Sequence, residues 1–439
     1  MATKAKAQPE LDVRSLPGPE TILRAELDNG IVVLARANFA SPSVIISGYL
    51  PAGALFETPE QAGLADLTAA ALMRGTAKRS FQEIYESIES IGASLSFGAS
   101  SHFASLRGKS LVADLDVLLD LIAEALTEPS FPKKAVSQLQ GERLTGLALR
   151  DQDTRAVAGM TFDELAYPDH PYRIPSDGYR HTVAALTRKD LKAFHKWQYR
   201  PAGMVLALVG AIEPQAAIDR VRQALGDWQA GPSAVAGVDV PDAAAPDGIV
   251  RRRVELAGKT QSDLVLGTPG PRRSDPDYLA AALGNSVLGR FGLMGRIGDS
   301  VRERAGLAYY AYSSLNGGIG PGPWQVAAGV NPANVERALD LCIQELARFA
   351  AEPVTAEELA DVQANFVGRL PLQLEANEGV AGALLHIERH GLGLDYYQRY
   401  PTLVAEVTGQ RIQAVAGRYL DPERLAVAVA GPADAGPSS

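Results

Sequence analysis

The chain has 439 residues, 46% of them hydrophobic and 21% charged, the balance of a globular protein rather than a disordered or fibrous one. That length exceeds one ordinary core and predicts about two to four domains of roughly 100 to 200 residues each. With 42 Lys+Arg against 51 Asp+Glu, the net charge of -9 repels phosphate backbones and anionic lipid, so neither nucleic acid nor a membrane surface is an expected partner.

Residues 1–19 carry lysines but no apolar stretch of signal-peptide length, and are expected as a flexible tail. Apolar alternation predicts strands at 31–34 and 44–50, and helical spacing predicts helices at 63–74, 80–91 and 111–126. From Thr187 the chain reads TRKDLKAFHKWQYRPAGMVLALVG. A Thr-capped helix with Leu191 and Phe194 on its apolar face, a proline turn and a strand at 204–209 are expected there. Residues 230–248, AGPSAVAGVDVPDAAAPDG, lack either hydrophobic period and have the composition of a linker. Arg251 to Arg253 stand among alternating apolar residues and mark the solvent face of a strand. GRFGLMGR at 289–296 lacks the Gly-Lys-Ser/Thr ending of a phosphate loop, which excludes that kind of nucleotide site. Strands at 307–314 and 324–330 flank the Gly/Pro-rich stretch 316–323 in the pattern of a hairpin.

Cys342, the single cysteine, rules out an intrachain disulfide and a cysteine-built zinc or iron–sulfur site; a buried place in the helix around 341–346 is expected for it. His386 and His390 lie four apart in LLHIERH and share a helix face, a spacing that can bind metal. Glu388 is rotated about 200° from His386 and no third donor is evident, so a surface histidine pair is expected. His102, His170, His181 and His195 are scattered and fit structural or exposed roles. No run approaches the roughly 18 apolar residues of a membrane span. Together with the lone cysteine, this points to the cytoplasm.

The last segment, TGQRIQAVAGRYLDPERLAVAVAG from Thr408, repeats the unit that begins at Thr187. Thr187 matches Thr408, Pro201 matches Pro422 and Gly210 matches Gly431, each 221 positions apart without a gap. A period this long exceeds the roughly 20 to 50 residues of a solenoid unit and indicates two homologous domains in tandem. The expected division is a first domain at 20–229, the linker at 230–248 and a second domain at 249–435. Long helices with paired strands and no regular alternation of the two argue for an α+β fold.

Several ordered stretches resemble the pitrilysin (insulinase-like) zinc peptidases, whose signature is His-x-x-Glu-His. GLADLTAAALMRGT (63–76) is similar in frame and flanks to that family's zinc helix, GLAHxLEHMxFxGT. VRERAGLAYYAYSS (301–314) resembles its second-domain motif, and YRPAGMVLALVG and YLDPERLAVAVAG resemble its domain-closing strands. The resemblance covers nearly the whole chain and implies two tandem domains, each an antiparallel-rich sheet packed with helices, forming half of a clam-shell.

Carried over residue by residue, the resemblance puts Asp66 at the first zinc histidine, Ala69 at the general-base glutamate and Ala70 at the second histidine. Aligned on Arg150, Asp151 and Asp153, it puts Gly146 at the third ligand. A catalytic zinc needs three protein donors and a water that a carboxylate can deprotonate. Methyl groups and a glycine donate no lone pair, so no metal is expected in this chain and Asp66 is expected as a solvated or hydrogen-bonded carboxylate.

The resemblance also implies a substrate-carbonyl pair, an Arg and a Tyr seven residues on, which this chain keeps as Arg302 and Tyr309. Arg304 and Tyr310 are substitutes if the frame slips, and an ion pair of Arg302 with Glu303 or Asp299 is the plainer alternative. The expected function is that of a non-catalytic, substrate-binding subunit. A homologous partner would carry His-x-x-Glu-His and the zinc, with extended peptides, neutral or basic, as substrates. An inert scaffold or homodimer is the alternative.

Overall fold

Strand alternation with a period of two decides which face of a sheet is buried, and in this chain the central strands Val205–Gly210, Ser262–Pro269 and Ala426–Gly431 are buried on both. The structure is a computed structural model that describes residues 12–229, 239–292 and 294–433. The first part of the chain runs β1 (Leu23–Glu26), β2 (Val32–Ala37), β3 (Ser43–Leu50), α1 (Leu64–Ala71), α2 (Phe81–Ser90), β4 (Ser94–Ala99) and β5 (Ala104–Leu111). It continues through α3 (Leu115–Thr127), α4 (Lys133–Arg150), α5 (Thr154–Ala166), α6 (Arg180–Ala185), α7 (Arg188–Gln198), β6 (Val205–Gly210) and α8 (Pro214–Leu225). The second part runs β7 (Val250–Glu255), β8 (Ser262–Pro269), α9 (Tyr278–Gly289), a short α10 (Gly295–Ile297) that widens into a π-helix (Gly298–Arg304), β9 (Ala308–Gly317) and β10 (Pro321–Val330). Helices α11 (Val335–Ala351), α12 (Ala356–Gln373), α13 (Asn377–Arg389), α14 (Tyr396–Ala405) and α15 (Gly409–Tyr419) precede the last strand, β11 (Ala426–Gly431).

The first sheet has the order β1-β2-β6-β3-β5-β4 and the second β7-β11-β8-β10-β9. In each, the strand after the repeated helix enters parallel to an early strand, with Val32 opposite Val205 and Val250 opposite Ala426. Its other neighbour is antiparallel, β3 in the first sheet and β8 in the second. The duplication seen in sequence is therefore a duplication of topology, and β4 and β9 are the corresponding edge strands.

Side chains on one face of the first sheet, Val33, Val44, Ile46, Leu206 and Leu208, join the main core of that half. Those on the other face, Leu34, Ile45, Val205, Ala207 and Val209, pack against Val380, Leu384 and Ile387 of α13, a helix from the second half. The second sheet mirrors this: Val265, Ala327, Ala426, Ala428 and Ala430 pack against Val157, Ala158 and Phe162 of α5, from the first half. Each half thus lends a helix to the other's sheet. Burying one Leu, Ile, Val or Phe side chain contributes about 1.5–3 kcal/mol, so these exchanged helices bind the two halves strongly.

Three expectations need correction. Residues 12–19 are not a loose tail: Asp12 caps a 3-10 turn (Val13–Ser15), Leu16 is buried, and the turn lies against α14. Residues 1–11 lie outside the described residues. The helix expected from 111 begins at Leu115, because Leu111 still pairs with Ser43 at the end of β5. Of the linker, 230–238 lie outside the described residues. Its later part is docked, with Arg272 Nη2 donating to the Val240 carbonyl at 2.7 Å. The hairpin, the buried Cys342 and the strand bearing Arg251 to Arg253 are found where the sequence places them.

Candidate functional site

Helix α1 begins at Gly63, which has no side chain to satisfy the first backbone N–H groups and sits at φ +95. Glu57 supplies the missing acceptor: Gly63 N donates to its Oε2 at 2.9 Å and Ala65 N to its Oε1. Burial pushes the Glu57 carboxyl up to about 7 despite those two donors. Asp66 follows in the first turn, where a carboxylate suits the helix dipole. Ala69 is fully buried and Ala70 packs partly against the core.

Helix α4 faces α1 and carries Gly146, which is exposed; a Cβ built there meets nothing within 4 Å. The residue of α4 that does reach Asp66 is Arg143, one turn before Gly146. Its Nε lies 2.6 Å from Asp66 Oδ2 and its Nη2 donates to Oδ1 at 3.3 Å. Of the two states expected for Asp66, solvated or hydrogen-bonded, the structure shows the second: a mostly buried carboxylate, hydrogen-bonded and ion-paired to Arg143. Burial raises its pKa and the Arg143 guanidinium opposes that shift. Among the described residues no group of three His, Cys, Asp or Glu side chains is placed to hold a metal ion.

At the other candidate pair, the π-helix (Gly298–Arg304) ends at Gly306, whose φ of +64 turns the chain into β9. The Arg302 side chain is 37% exposed and pairs with Glu303 at 3.6 Å, which is the plainer alternative the sequence offered. Tyr309 is 84% exposed. Its exposure has a backbone cause: Ala308 pairs with Val330 and Tyr310 with Gly329, so Tyr309 is the extra residue of a β-bulge on an edge strand. The substitutes are already engaged. Arg304 Nε donates to Asp299 at 2.8 Å, and Tyr310 donates to Asp263, which is buried and also accepts from Thr154 of α5. Among the described residues no hydrogen bond joins Arg302 to Tyr309.

Two further elements shape the surroundings. The turn of the β9–β10 hairpin is pinned to the first half, with Gly320 N donating to Tyr172 Oη at 3.0 Å and Tyr167 Oη donating to the Pro321 carbonyl at 2.8 Å. A groove of about 720 Å³ runs between α13 and β4–β5, lined by Ser96, Arg107, Lys109, Glu378 and Arg389 among others. The expected surface pair His386 and His390 is instead half-buried in the seam between the halves, rings 5.2 Å apart. Arg273 Nε donates to His386 Nε2 at 3.3 Å, which places the ring proton on Nδ1 facing Tyr397. Burial, then Arg273, lowers both pKa values, to about 3 for His386 and about 4 for His390. Glu388 points elsewhere, paired with Arg24 at 2.8 Å.

Comparison with known families bears on all of this geometry. A model described as "Insulinase (Peptidase family M16)" matches residues 32–158, and one described as "Peptidase M16 inactive domain" matches residues 185–366. The chain belongs to peptidase family M16. An uncharacterised zinc protease of Streptomyces coelicolor is 27% identical over 374 residues, covering 85% of this chain and 81% of that protein. A "Probable mitochondrial-processing peptidase subunit beta" of Arabidopsis thaliana is 23% identical over 274 residues, covering 62% and 51%. The crystal structure of a peptidase M16 inactive domain from Pseudomonas fluorescens superimposes with a TM-score of 0.86 at 26% identity, covering 94% of this chain and 98% of that one.

The M16 zinc does not fit the residues present here. Of the four corresponding positions only Asp66 carries a donor, and a guanidinium already holds it. Sequence reasoning missed both Arg143 and Glu57. A glycine at the start of α1 signals that a cap must come from elsewhere, and Arg143 lies one helical turn from the position aligned with the third ligand. Among the described residues no helix is long and apolar enough to cross a membrane.

Proposed function

We propose that this chain is the non-catalytic, substrate-binding half of a two-subunit M16 peptidase. A homologous partner carrying His-x-x-Glu-His supplies the metal and the general base, and this chain supplies Arg302 and Tyr309 to the scissile carbonyl. The observation that carries the reading is a contrast within one molecule. Asp66 is held by Arg143 at 2.6 Å beside two alanines, whereas Tyr309 is left open to solvent by a bulge and Arg302 is partly exposed, with only a 3.6 Å pairing to its neighbour Glu303. Two preset donors aimed at a developing oxyanion strengthen as charge builds in the transition state. The edge strand β4 beside the open groove offers unpaired backbone groups, which suits extended peptides of varied sequence. Similarity to a relative named as a processing-peptidase subunit supports an assembly of unlike chains.

The test is purification of this chain alone and together with a His-x-x-Glu-His homologue, followed by cleavage of a fluorogenic peptide. The pair cleaves and the isolated chain does not. Chelator-sensitive cleavage by the isolated chain overturns the reading.

A further inference from the structure

The duplication gives the degenerate metal cleft a counterpart in the second half. In the first half α1 packs on α4 and α7; in the second, α9 packs on α12 and α15. The match extends to side chains. Gln140 of α4 donates to the carbonyls of Val183, Ala184 and Leu186, and Gln363 of α12 donates to those of Val404, Ala405 and Val407. The carbonyls are 221 positions apart and the glutamines 223, a shift that carries Gly146 onto Arg369.

At this counterpart lies a cavity of about 620 Å³, within the range of small-molecule sites. Arg273, Arg290 and Arg369 line it, with the hydroxyl-bearing rings of Tyr278, Tyr396, Tyr397 and Tyr400. Among the described residues no aspartate or glutamate does. Arg273 is held in place by Tyr396 Oη at 2.7 Å and His386 Nε2 at 3.3 Å, with Tyr278 beneath its guanidinium at 4.6 Å. Its Nη1 has no protein acceptor among the described residues. Arg369 stacks on Phe366 at 4.1 Å, and Arg290 forms no ion pair among the described residues. Three guanidiniums without a counter-charge, in a protein of net charge -9, make a local field opposite to that of the whole molecule.

The geometry points to a binding site for a small, multiply charged oxyanion, phosphate-bearing or polycarboxylate, held by Arg273, Arg290 and Arg369. The planar guanidinium fork suits both chemistries, since each presents paired oxygens. The tyrosines of the lining add neutral hydrogen-bonding groups, and aromatic rings orient Arg273 and Arg369. This site is separate from Arg302 and Tyr309 and does not depend on the peptidase reading.

Calorimetric titration of the full chain with pyrophosphate and with citrate, at constant ionic strength, tests it. Saturable one-to-one binding of at least one anion is expected, weakened at least tenfold in the double variant Arg290→Gln/Arg369→Gln. Both residues are exposed, so the fold tolerates the change. Arg304→Gln, outside the cavity, removes one charge as a control and leaves affinity unchanged. Binding of pyrophosphate alone identifies phosphate as the ligand group, and binding of citrate alone identifies carboxylate. Absence of saturable binding to both, indifference to the double variant, or an equal loss with Arg304→Gln overturns the assignment.

Discussion

Replacing His386 by phenylalanine isolates a single proton in the seam between the two halves. In the folded chain the imidazole is neutral, its pKa held to about 3 by burial first and then by Arg273, His390 and Arg389. In the unfolded chain it titrates near the ordinary value of about 6.5. A group whose folded pKa lies below its unfolded one gives its full stabilisation above the unfolded value and loses it as pH falls toward the folded one. Between pH 7 and pH 5 the unfolded chain takes up about three-quarters of a proton here that the folded chain refuses. At about 1.36 kcal/mol per pH unit, linkage removes about 2 kcal/mol over that window. Total stability is a poor readout, because Glu57 and Asp163, both pushed up to about 7 by burial, act in the opposite sense across the same range. The deciding quantity is the difference between variant and wild type in urea unfolding. At pH 7 the variant lacks the hydrogen bonds to Arg273 and Tyr397, a deficit of about 1–2 kcal/mol. At pH 5 the wild type has lost its linkage advantage and the deficit closes to near zero. A deficit of equal size at both pH values refutes a neutral, buried His386.

Arg302→Ala or Tyr309→Phe is expected to lower turnover of the two-subunit mixture by about 100- to 1,000-fold. Tyr309→Phe leaves the urea midpoint unmoved, because the exposed hydroxyl holds nothing in the fold; unchanged turnover defeats the substrate-contact role. Arg143→Leu strands the mostly buried Asp66 and costs about 1–3 kcal/mol in urea unfolding, recovered when Asp66→Leu is added. Failure of the second change to rescue the first shows that the ion pair is not what Arg143 contributes. Gly320→Ala sets a Cβ 2.3 Å from Tyr172 Oη and destabilises by about 1–3 kcal/mol, while Gly318→Ala, with its nearest atom at 3.8 Å, is neutral by the same measure.

What the sequence made legible was whatever depends on short range or on repetition. The N-cap at Thr408, with Arg411 N donating to its Oγ1 at 3.2 Å, and the unbroken apolar run that buries β11 on both faces follow from residues within one segment. The 221-residue repeat then told which segments are equivalent. The helix exchange was not legible, because apolar spacing in α5 and α13 says that a face is buried but not which sheet buries it. The same limit applies to Arg143, 77 residues from the carboxylate it holds, and to the cavity formed by residues 273 to 400 from five separate elements. His386 and His390 were misplaced for a related reason. Helical spacing puts them on one face, and only the docking of α13 on the first sheet turns that face inward.

The ion pair between Asp66 and Arg143 explains why the metal helix keeps its place without a metal. A mostly buried carboxylate costs several kcal/mol unless a cation and hydrogen bonds accompany it. In a zinc-bearing helix the ion would provide that charge; here a guanidinium from the facing helix does, at 2.6 Å, and α1 and α4 remain packed. In the counterpart cleft the balance is reversed. Position 369 carries a cation where position 146 carries none, no carboxylate among the described residues opposes it, and Arg273 is braced by rings and hydroxyls rather than by an acid. One cleft is electrostatically closed on itself and the other is left with unspent positive charge, so a ligand that supplies charge belongs in the second and not in the first.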